Sequence, residues 1–555
     1  MRALEGPATE IVDLGIGILL PGFIDAHTHF GNAAAWVSRV ALYEARDADA
    51  VASIVAQAAG RVAKGLWITG GDIGAAIAWE AEARGEPRPA PLPIDRRALD
   101  AITTDHAVLL RRVDGAYVAN SLAIARARYS ATEPTPRGGR MEHDAAGELS
   151  GVFHGRAGER FADLVPPANL ETTLAGARVA LADLASAGIT SIHDIARLDA
   201  ASRRRIFHTD VERSLTDLEL HRELQRRGEL SVRVYAILSL PAWRETVSAG
   251  IRPRTDEGGI RYGAMKAFID GFLMDEPYAN DPHWRGDFTF RFVDEATLSE
   301  DIAGADAAGF DAAVHTIGDR AHRLLLDSYE AAMERNPLRD RRFRVIHAWY
   351  PSAREVERIG RLGLIVDITP QQLVNDLRAV DAKLGRERAR TAHAWRTLAR
   401  AGARLDIVSD WPGSFNEQRA TPLAPLENIA LAMTRAAPGG VAWHPDEAIG
   451  VRDAIVAYTA NPAYASYEEE RKGSITTGKL ADLVVLSRDI LGATAAEIRA
   501  TRVLRTIVGG RTVYAAEAVP TRTAQTASAA AHARGAASRR AQGSPRRAAR
   551  RPRAT

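Results

Sequence analysis

Two histidines separated by one residue are the strongest chemical signal in the sequence. They are His27 and His29, at the end of the segment PGFIDAHTH, residues 21–29. Alternate residues of a strand project to the same side, so a strand here would aim both imidazoles at one point. Neutral imidazoles are good ligands for zinc and similar divalent ions. An isolated His-x-His is also compatible with two incidental histidines, so a metal site needs further ligands.

Three further candidate ligands occur at the ends of later apolar segments. His315 and His347 each close such a segment, and Asp410 directly follows another. Any one of them alone is more often a structural residue. Chance is a poor explanation for five such residues at the ends of predicted strands, and we expect them to converge in one site.

The composition restricts the chemistry and the partners. The chain has no cysteine, which excludes disulfides, thiolate nucleophiles and cysteine-ligated metals, so any metal must be held by histidine, carboxylate or a modified side chain. We find no signal peptide and no apolar run long enough for a membrane span, and expect a cytoplasmic protein without a membrane partner. Residues 518–555 carry nine arginines and no acidic residue, so the body is acidic and no nucleic-acid partner is expected.

Short apolar segments alternate with longer amphipathic ones along most of the chain. This alternation is typical of a parallel sheet, and eight such strands predict an α/β fold, a (β/α)8 TIM-like barrel with its site at the carboxyl ends of the strands. The predicted strands are Leu19–Asp25, Ile189–His193, Val232–Leu238, Gly263–Ile269, Ala312–His315, Phe343–His347, Leu364–Ile368 and Leu405–Ser409.

The spacing of these strands predicts the domain boundaries. About 160 residues separate the first two strands, far more than one crossover needs, so we predict a cap insertion over about 60–170 within a barrel spanning 21–465. Residues 1–20 and 466–517 are predicted to form a small β-domain, with a hairpin around Gly509-Gly510. The Ala/Arg-rich residues 518–555 are predicted to be a disordered basic tail. Its alternative role is an anchor for nucleic acid or an acidic membrane.

Several segments resemble the amidohydrolase superfamily, and within it amidohydrolase family 3, the branch that includes N-substituted formamide deformylases. The resemblance covers roughly residues 10–515. It rests on the segments PGFIDAHTH (21–29), RVDGAYVANS (112–121), GITSIHD (188–194), MKAFIDG (265–271), VHTIGDRA (314–321), VIHAW (345–349), SDWP (409–412) and GSITTGKLADLVVL (473–486).

The resemblance implies metal ligands at six positions. These are His27 and His29 for the more buried ion, His315 and His347 for a second ion, Asp410 as both ligand and general acid/base, and Lys266 as the lysine that many relatives carbamylate to bridge two ions. An unmodified ammonium is a poor ligand because it has no acceptor. The alternative for Lys266 is an unmodified lysine that contacts substrate or Asp270, which leaves a single-metal site.

The function implied is hydrolysis of a non-peptide C–N bond, of amide or formamide type, in a small molecule. A divalent ion, by default zinc and one or two per chain, lowers the pKa of bound water and supplies metal-bound hydroxide, while Asp410 transfers the proton. The alternatives are hydrolysis of another bond, such as an ester, and a catalytically silent homologue. Intact candidate ligands argue against the silent homologue. A homodimer is expected only from the general frequency of dimers.

Other polar and aromatic residues are candidates for substrate contact. His193 and Asp194 end the second strand and either face the mouth or form a pair that holds the barrel rim. The remaining candidates are Asp114 and Asn120 in the cap, Asp270 after the fourth strand, and Trp349 and Trp411 beside predicted ligands.

The chain departs from the family pattern in two places. Only about 20 residues precede the His-x-His strand, so we expect the small β-domain to lack most of its partner strands. In the cap, Ala116 stands where relatives often have histidine after Asp-Gly, which weakens the transfer of any particular substrate.

Overall fold

The structure is a computed structural model, and it describes most of the chain. The residues that it leaves undescribed are 1–5, 7–8, 13, 15, 37–38, 43–44, 76, 79–86, 88, 137, 163, 166–169, 196–210, 271–293, 377–379, 381–384, 386–388, 390, 413–422, 437–439, 517–520 and 524–555. Within the described part, no helix combines the length and the apolar character needed to cross a membrane.

The described strands and helices alternate as predicted after the cap. The strands are β1 (Glu10–Val12), β2 (Ile18–Pro21), β3 (Phe23–Thr28), β4 (Arg39–Ala41), β5 (Trp67–Ile73), β6 (Ala107–Arg112), β7 (Tyr117–Ala119), β8 (Gly139–His143), β9 (Leu149–Gly155), β10 (Ile189–Ile195), β11 (Arg233–Ser239), β12 (Ile260–Phe268), β13 (Asp311–Thr316), β14 (Arg344–His347), β15 (Ile365–Ile368), β16 (Arg404–Ile407), β17 (Leu483–Leu486), β18 (Val503–Val508), β19 (Arg511–Ala515) and β20 (Thr521–Thr523). The helices are α1 (Phe30–Trp36), α2 (Ala48–Arg61), α3 (Arg96–Asp100), α4 (Ser121–Ala127), α5 (Arg156–Ala162), α6 (Leu170–Ser186), α7 (Val211–Arg226), α8 (Trp243–Ser248), α9 (Glu295–Ala307), α10 (Asp319–Arg335), α11 (Ala353–Arg361), α12 (Pro370–Asp376), α13 (Trp395–Ala401), α14 (Pro425–Thr434), α15 (Val451–Ala457), α16 (Ala460–Ala465) and α17 (Ala495–Arg499).

Eight parallel strands form the barrel, in the order β3-β10-β11-β12-β13-β14-β15-β16. The ends of this sheet meet at the mouth, where Thr28 pairs with Trp411 in a parallel bridge. The Asp410 N–H donates to His27 O at 3.0 Å, and the His29 N–H donates to Trp411 O at 2.7 Å. The predicted TIM-like barrel is therefore confirmed. Its closure joins the His-x-His segment directly to Asp410.

The first predicted strand is two strands. Leu19–Asp25 was expected to be continuous, but the chain leaves β2 and enters β3 at Gly22. A Cβ at Gly22 would lie 2.2 Å from the Thr190 side chain of β10, so only glycine allows this close approach. One segment thereby serves two sheets, the small β-sheet and the barrel.

The small sheet has the order β19-β18-β17-β2. The predicted hairpin is present as β18 and β19, with Gly509 and Gly510 at positive φ in its turn. Residues 1–20 were expected to be a remnant of the small β-domain, and from them β2 pairs antiparallel with β17 along its whole length. A correction concerns the tail, where β20 pairs with β1 in a segment predicted to be disordered. Residues 524–555 lie outside the described part.

The insertion after β3 forms a six-stranded mixed sheet in the order β4-β5-β6-β7-β9-β8. It starts at β4, earlier than the predicted boundary near residue 60, and β9 ends at Gly155. Two apolar clusters of its own fill it, one on each side of the sheet: one includes Val55 and Leu99, the other Phe153 and Phe161. The insertion therefore has apolar cores of its own, separate from the core of the barrel.

Candidate metal centre

The mouth of the barrel brings His27, His29 and Asp410 together. All three side chains are buried. Asp410 Oδ1 lies 3.3 Å from His27 Nε2 and 3.1 Å from His29 Nε2. Among the residues that the structure describes, this is the single group of three or more potential ligands whose ligand atoms all lie within 4.8 Å of one another. The sequence-based prediction of convergence holds for these three residues.

Two strand ends at this mouth have strained backbone. Asp410 has φ 59°, and on β14 His347 has φ 74° and the following Ala348 has φ 47°. Non-glycine residues in the left-handed region cost of the order of 1–3 kcal/mol and persist where the surroundings impose them. Here the strain coincides with two of the predicted ligands.

His315 and His347 lie next to this cluster. Their ring centroids are 4.6 Å apart, and the His347 centroid lies 5.4 Å from that of His27. The parallel register pairs Thr316 with His347, which sets the two strand ends at one level. The four predicted histidine ligands therefore form a continuous patch of rings.

Lys266 on β12 reaches the same region. It is 2 % exposed, and its Nζ lies 4.5 Å from the Phe268 ring centroid without a hydrogen-bond partner among the described residues. Burial lowers the pKa of Lys266 to about 7, against the opposing effect of the Asp410 and Asp367 carboxylates. A large fraction of this amine is therefore neutral near pH 7, the form that reacts with carbon dioxide to give a carbamate.

The donor set fits a divalent cation. Burial lowers the pKa of His27 well below its usual value, with Lys266 as the next cause, and burial also lowers that of His347. The rings are thus neutral, the form that ligates metal. Among the described residues, neither His29 Nε2 nor Asp410 Oδ1 has a partner with hydrogen-bond geometry, although both atoms are buried and lie 3.1 Å apart, and burying polar atoms without partners is costly. A bound ion would satisfy these atoms.

One buried carboxyl group joins the two segments that carry the candidate ligands His27 and Asp410. Asp25 Oδ1 accepts from the Ser409 N–H at 3.1 Å and the His27 N–H at 3.3 Å, which ties β3 to the segment that carries Asp410. Burial raises the pKa of Asp25 to about 7, although hydrogen bonds to Ser409 oppose this.

A buried arginine lies in the barrel lumen. Arg344 Nε and Nη2 donate to the two carboxylate oxygens of Asp367 at 3.1 and 2.5 Å, and Nη2 also donates to Ala26 O at 2.6 Å. Asp367 Oδ2 lies 3.9 Å from His27 Nδ1, on the side of the ring away from Asp410. Sequence reasoning missed this pair, because nothing in a short apolar strand shows which of its polar residues faces the lumen.

Three residues near the mouth that were predicted to contact substrate are hydrogen-bonded to other groups of the protein in the structure. His193 lies in the lumen, where its Nδ1 is 3.0 Å from Arg344 Nη1. Asp270 accepts from the backbone N–H groups of Ile317 and Gly318 at 3.0 and 2.7 Å, so it fixes the turn after His315. Asp194 accepts from the Phe30 N–H at 2.6 Å, which favours the alternative of a residue that holds the rim.

The two cap candidates make hydrogen bonds within the insertion. Among the described residues, the fully buried Asn120 accepts from the Val108 and Ala123 N–H groups and donates to Thr103 O and His106 O. Asp114 pairs with Arg112 at 2.6 Å and accepts from the Ala116 N–H in the same turn. Asn120 therefore supports the fold of the insertion, whereas Asp114, whose side chain is 28% exposed, stays a candidate for substrate contact.

The two tryptophans lie at the mouth. The Trp349 ring is buried 5.6 Å from the His347 ring, and its Nε1 donates to Thr369 Oγ1 at 3.3 Å. Trp411 is partly exposed beside the main apolar core. Trp349 therefore forms a wall behind His347, and Trp411 remains a candidate for substrate contact.

Among the described residues, a cavity of about 920 Å³ lies away from the histidine cluster. Its lining includes Gly363 and Arg404, at the amino ends of β15 and β16. The histidines lie at the opposite, carboxyl ends of the strands. Barrel enzymes place their chemistry at the carboxyl ends, so the chemistry belongs to the histidine cluster and not to this cavity.

Comparison with known proteins agrees with this geometry. The model of amidohydrolase family 3, described as the amidohydrolase family, matches residues 10–514. Protein LONG AFTER FAR-RED 3 of Arabidopsis thaliana is 29% identical over 93% of this chain and 85% of its own length. N-substituted formamide deformylase of Arthrobacter pascens is 26% identical over 92% of this chain and 91% of its own length.

A solved structure shares the fold. An uncharacterized metal-dependent hydrolase from Pyrococcus horikoshii superimposes with a TM-score of 0.61 at 22% identity, covering 88% of this chain and 89% of its own. The family match covers more of the molecule than any single site, because it extends from residue 10 to residue 514, through the small sheet, the cap and the barrel. A match of that extent assigns this chain to the amidohydrolase family.

Proposed function

We propose that this chain is a metal-dependent hydrolase that cleaves the C–N bond of an amide or formamide in a small molecule. The observation that carries the proposal is the buried group of His27, His29 and Asp410 at the barrel mouth. The relative named as an N-substituted formamide deformylase supports the choice of bond.

The donors favour zinc. His27, His29 and Asp410 would hold one ion, and His315 and His347 a second, with a carbamylated Lys266 between them. Imidazole and carboxylate ligands suit zinc well. When bound, such an ion lowers the pKa of water and polarises a carbonyl. Lys266 supports this arrangement because its pKa of about 7 provides the neutral amine that carbamylation requires.

The chain's own residues would supply proton transfer and exclude water. Asp410 Oδ1 faces the imidazoles of both His27 and His29. It would take the proton of the attacking water and deliver it to the nitrogen as the C–N bond breaks. The Trp349 and Phe268 rings beside His347 and His315 give this site apolar walls. Such walls lower the local dielectric, which strengthens electrostatic interactions with the developing charge.

Substrate profiling tests the proposal. Zinc-loaded protein would be assayed with matched series of N-formyl amines, N-acetyl amines and the corresponding esters, with Asp410→Asn as the control. We expect turnover of the amide series and a loss of roughly 10²–10⁴-fold in kcat in the variant. Turnover of the esters alone would reassign the bond, and a metal-loaded protein inactive on every series would contradict the proposed activity.

A further inference from the structure

Asp194 joins four elements behind the His-x-His segment. Its Oδ1 accepts from the Phe30 N–H at 2.6 Å and lies 3.5 Å from Thr28 Oγ1, while its Oδ2 accepts from His221 Nε2 at 2.6 Å. Asp194 is at the end of β10, Thr28 ends β3, Phe30 begins α1, and His221 is on α7. The predicted ligand His29 lies between Thr28 and Phe30, and both of these neighbours are held by one carboxylate.

His221 is enclosed together with Phe30. The imidazole is 1 % exposed, and its ring centroid lies 5.1 Å from that of Phe30 with an interplanar angle of 31°. The contact with the ring and the bond to Asp194 act on the same residue, Phe30, from two directions. Movement of His221 would therefore shift the backbone immediately after His29.

A second residue of α7 meets the start of α1. Asp217 is one helical turn before His221, and a Cβ at Gly31 would lie 2.6 Å from its Oδ1. The start of α1 therefore packs closely against α7, with the Asp217 carboxylate next to the Gly31 backbone.

We propose that Asp194 and His221 form a buried positioning pair that fixes His29, and through it the first metal position. The inference deepens the proposed function and rests on it, since it assumes that His29 ligates a metal. Among the described residues, the hydrogen bonds of the pair reach Phe30 and Thr28 and no ring of a predicted metal ligand, so it is a positioning pair and not a catalytic one. Of the two roles that the sequence left open for Asp194, substrate contact or support of the barrel rim, the proposal develops the second.

Cobalt binding tests the pairing directly. Co²⁺ would be titrated into metal-free full-length protein, with the dissociation constant from chelator competition and the visible absorption spectrum as readouts. Loss of a residue that orients a metal ligand typically weakens metal binding by about 10–100-fold. We expect His221→Ala to weaken Co²⁺ binding at least about tenfold and to alter the spectrum. His221→Gln, whose amide can donate to Asp194, should restore both.

A matched control separates positioning from general loss of stability. His106→Ala removes another buried histidine, bonded to Thr103 Oγ1 and Val62 O inside the cap. It should lower stability but leave Co²⁺ affinity and the spectrum unchanged. If His221→Ala fails to fold, Asp194→Asn gives the same measurement, because it keeps an acceptor for Phe30 and removes the charge facing His221.

Three results would overturn the inference. They are wild-type cobalt affinity and spectrum in His221→Ala or in Asp194→Asn, failure of His221→Gln to restore them, and an equal loss in His106→Ala. A wild-type protein that binds no Co²⁺ would contradict both this inference and the proposed function. A protein that binds Co²⁺ but hydrolyses no amide would contradict the proposed function alone.

Discussion

Replacing Arg344 should reveal how much the lumen network contributes to the fold. Arg344→Met removes the partner of Asp367, which is fully buried, and leaves two further acceptors unmatched, Ala26 O and His193 Nδ1. Breaking a buried ion pair from one side costs about 3–5 kcal/mol. We expect a loss of that size in the free energy of unfolding, measured by urea titration of the metal-free protein.

A paired variant separates the ion pair from the other contacts. Arg344→Met with Asp367→Leu removes both charges, so the cost of a lone buried carboxylate disappears. Ala26 O and His193 Nδ1 still lack their donor, which leaves a loss of about 1–3 kcal/mol. The double variant should therefore be more stable than the single one. A single variant that loses less than about 1 kcal/mol, or a double variant less stable than the single, would refute the reasoning.

Three further predictions follow from the same site. His29→Ala should lower the metal content per chain, measured by mass spectrometry. An unchanged metal content would contradict the assignment of His29 as a metal ligand. Compared with wild type, metal-free Asp25→Asn should gain stability as the pH rises from 3.8 to about 7, and the gain should level off above that pH. Between pH 3.8 and about 7, wild-type Asp25 keeps its proton in the folded state but loses it in the unfolded state. Folding of the wild type therefore becomes less favourable as the pH rises across that range. A difference in urea stability between the two proteins that does not change with pH would contradict this prediction. At a fixed concentration of dissolved, labelled carbon dioxide, the carbamate signal of Lys266 in ¹³C NMR should rise from pH 6 to pH 8, because the carbamate forms from the neutral amine with release of a proton. A signal absent throughout would return Lys266 to an ordinary lysine.

The eight barrel strands were predictable because each is a short apolar segment that closes before a polar residue. In a parallel barrel the strands are buried on both faces, so they appear as continuous apolar runs. The His-x-His spacing and the position of Asp410 then placed three candidate ligands at one mouth. The boundary at Gly22 was not predictable, since a close approach to Thr190 depends on tertiary packing.

The polar residues behind the ligands could not be assigned from the sequence. Asp194 and Asn120 lie in motifs suited to substrate contact, yet both are committed to backbone donors. Arg344 and His221 gave no local signal, because their partners Asp367 and Asp194 are 23 and 27 residues away. Pairings across strands and helices are set by the register of the barrel, which a single sequence does not display.

Metal content per chain is the measurement that tests the central claim most directly. The protein would be expressed with zinc and bicarbonate, purified without chelator or histidine tag, and analysed by inductively coupled plasma mass spectrometry. The account predicts about two divalent ions per chain in the binuclear, carbamylated form, or about one if Lys266 is unmodified. A folded sample that contains no divalent ion and takes up none when it is added would contradict the account.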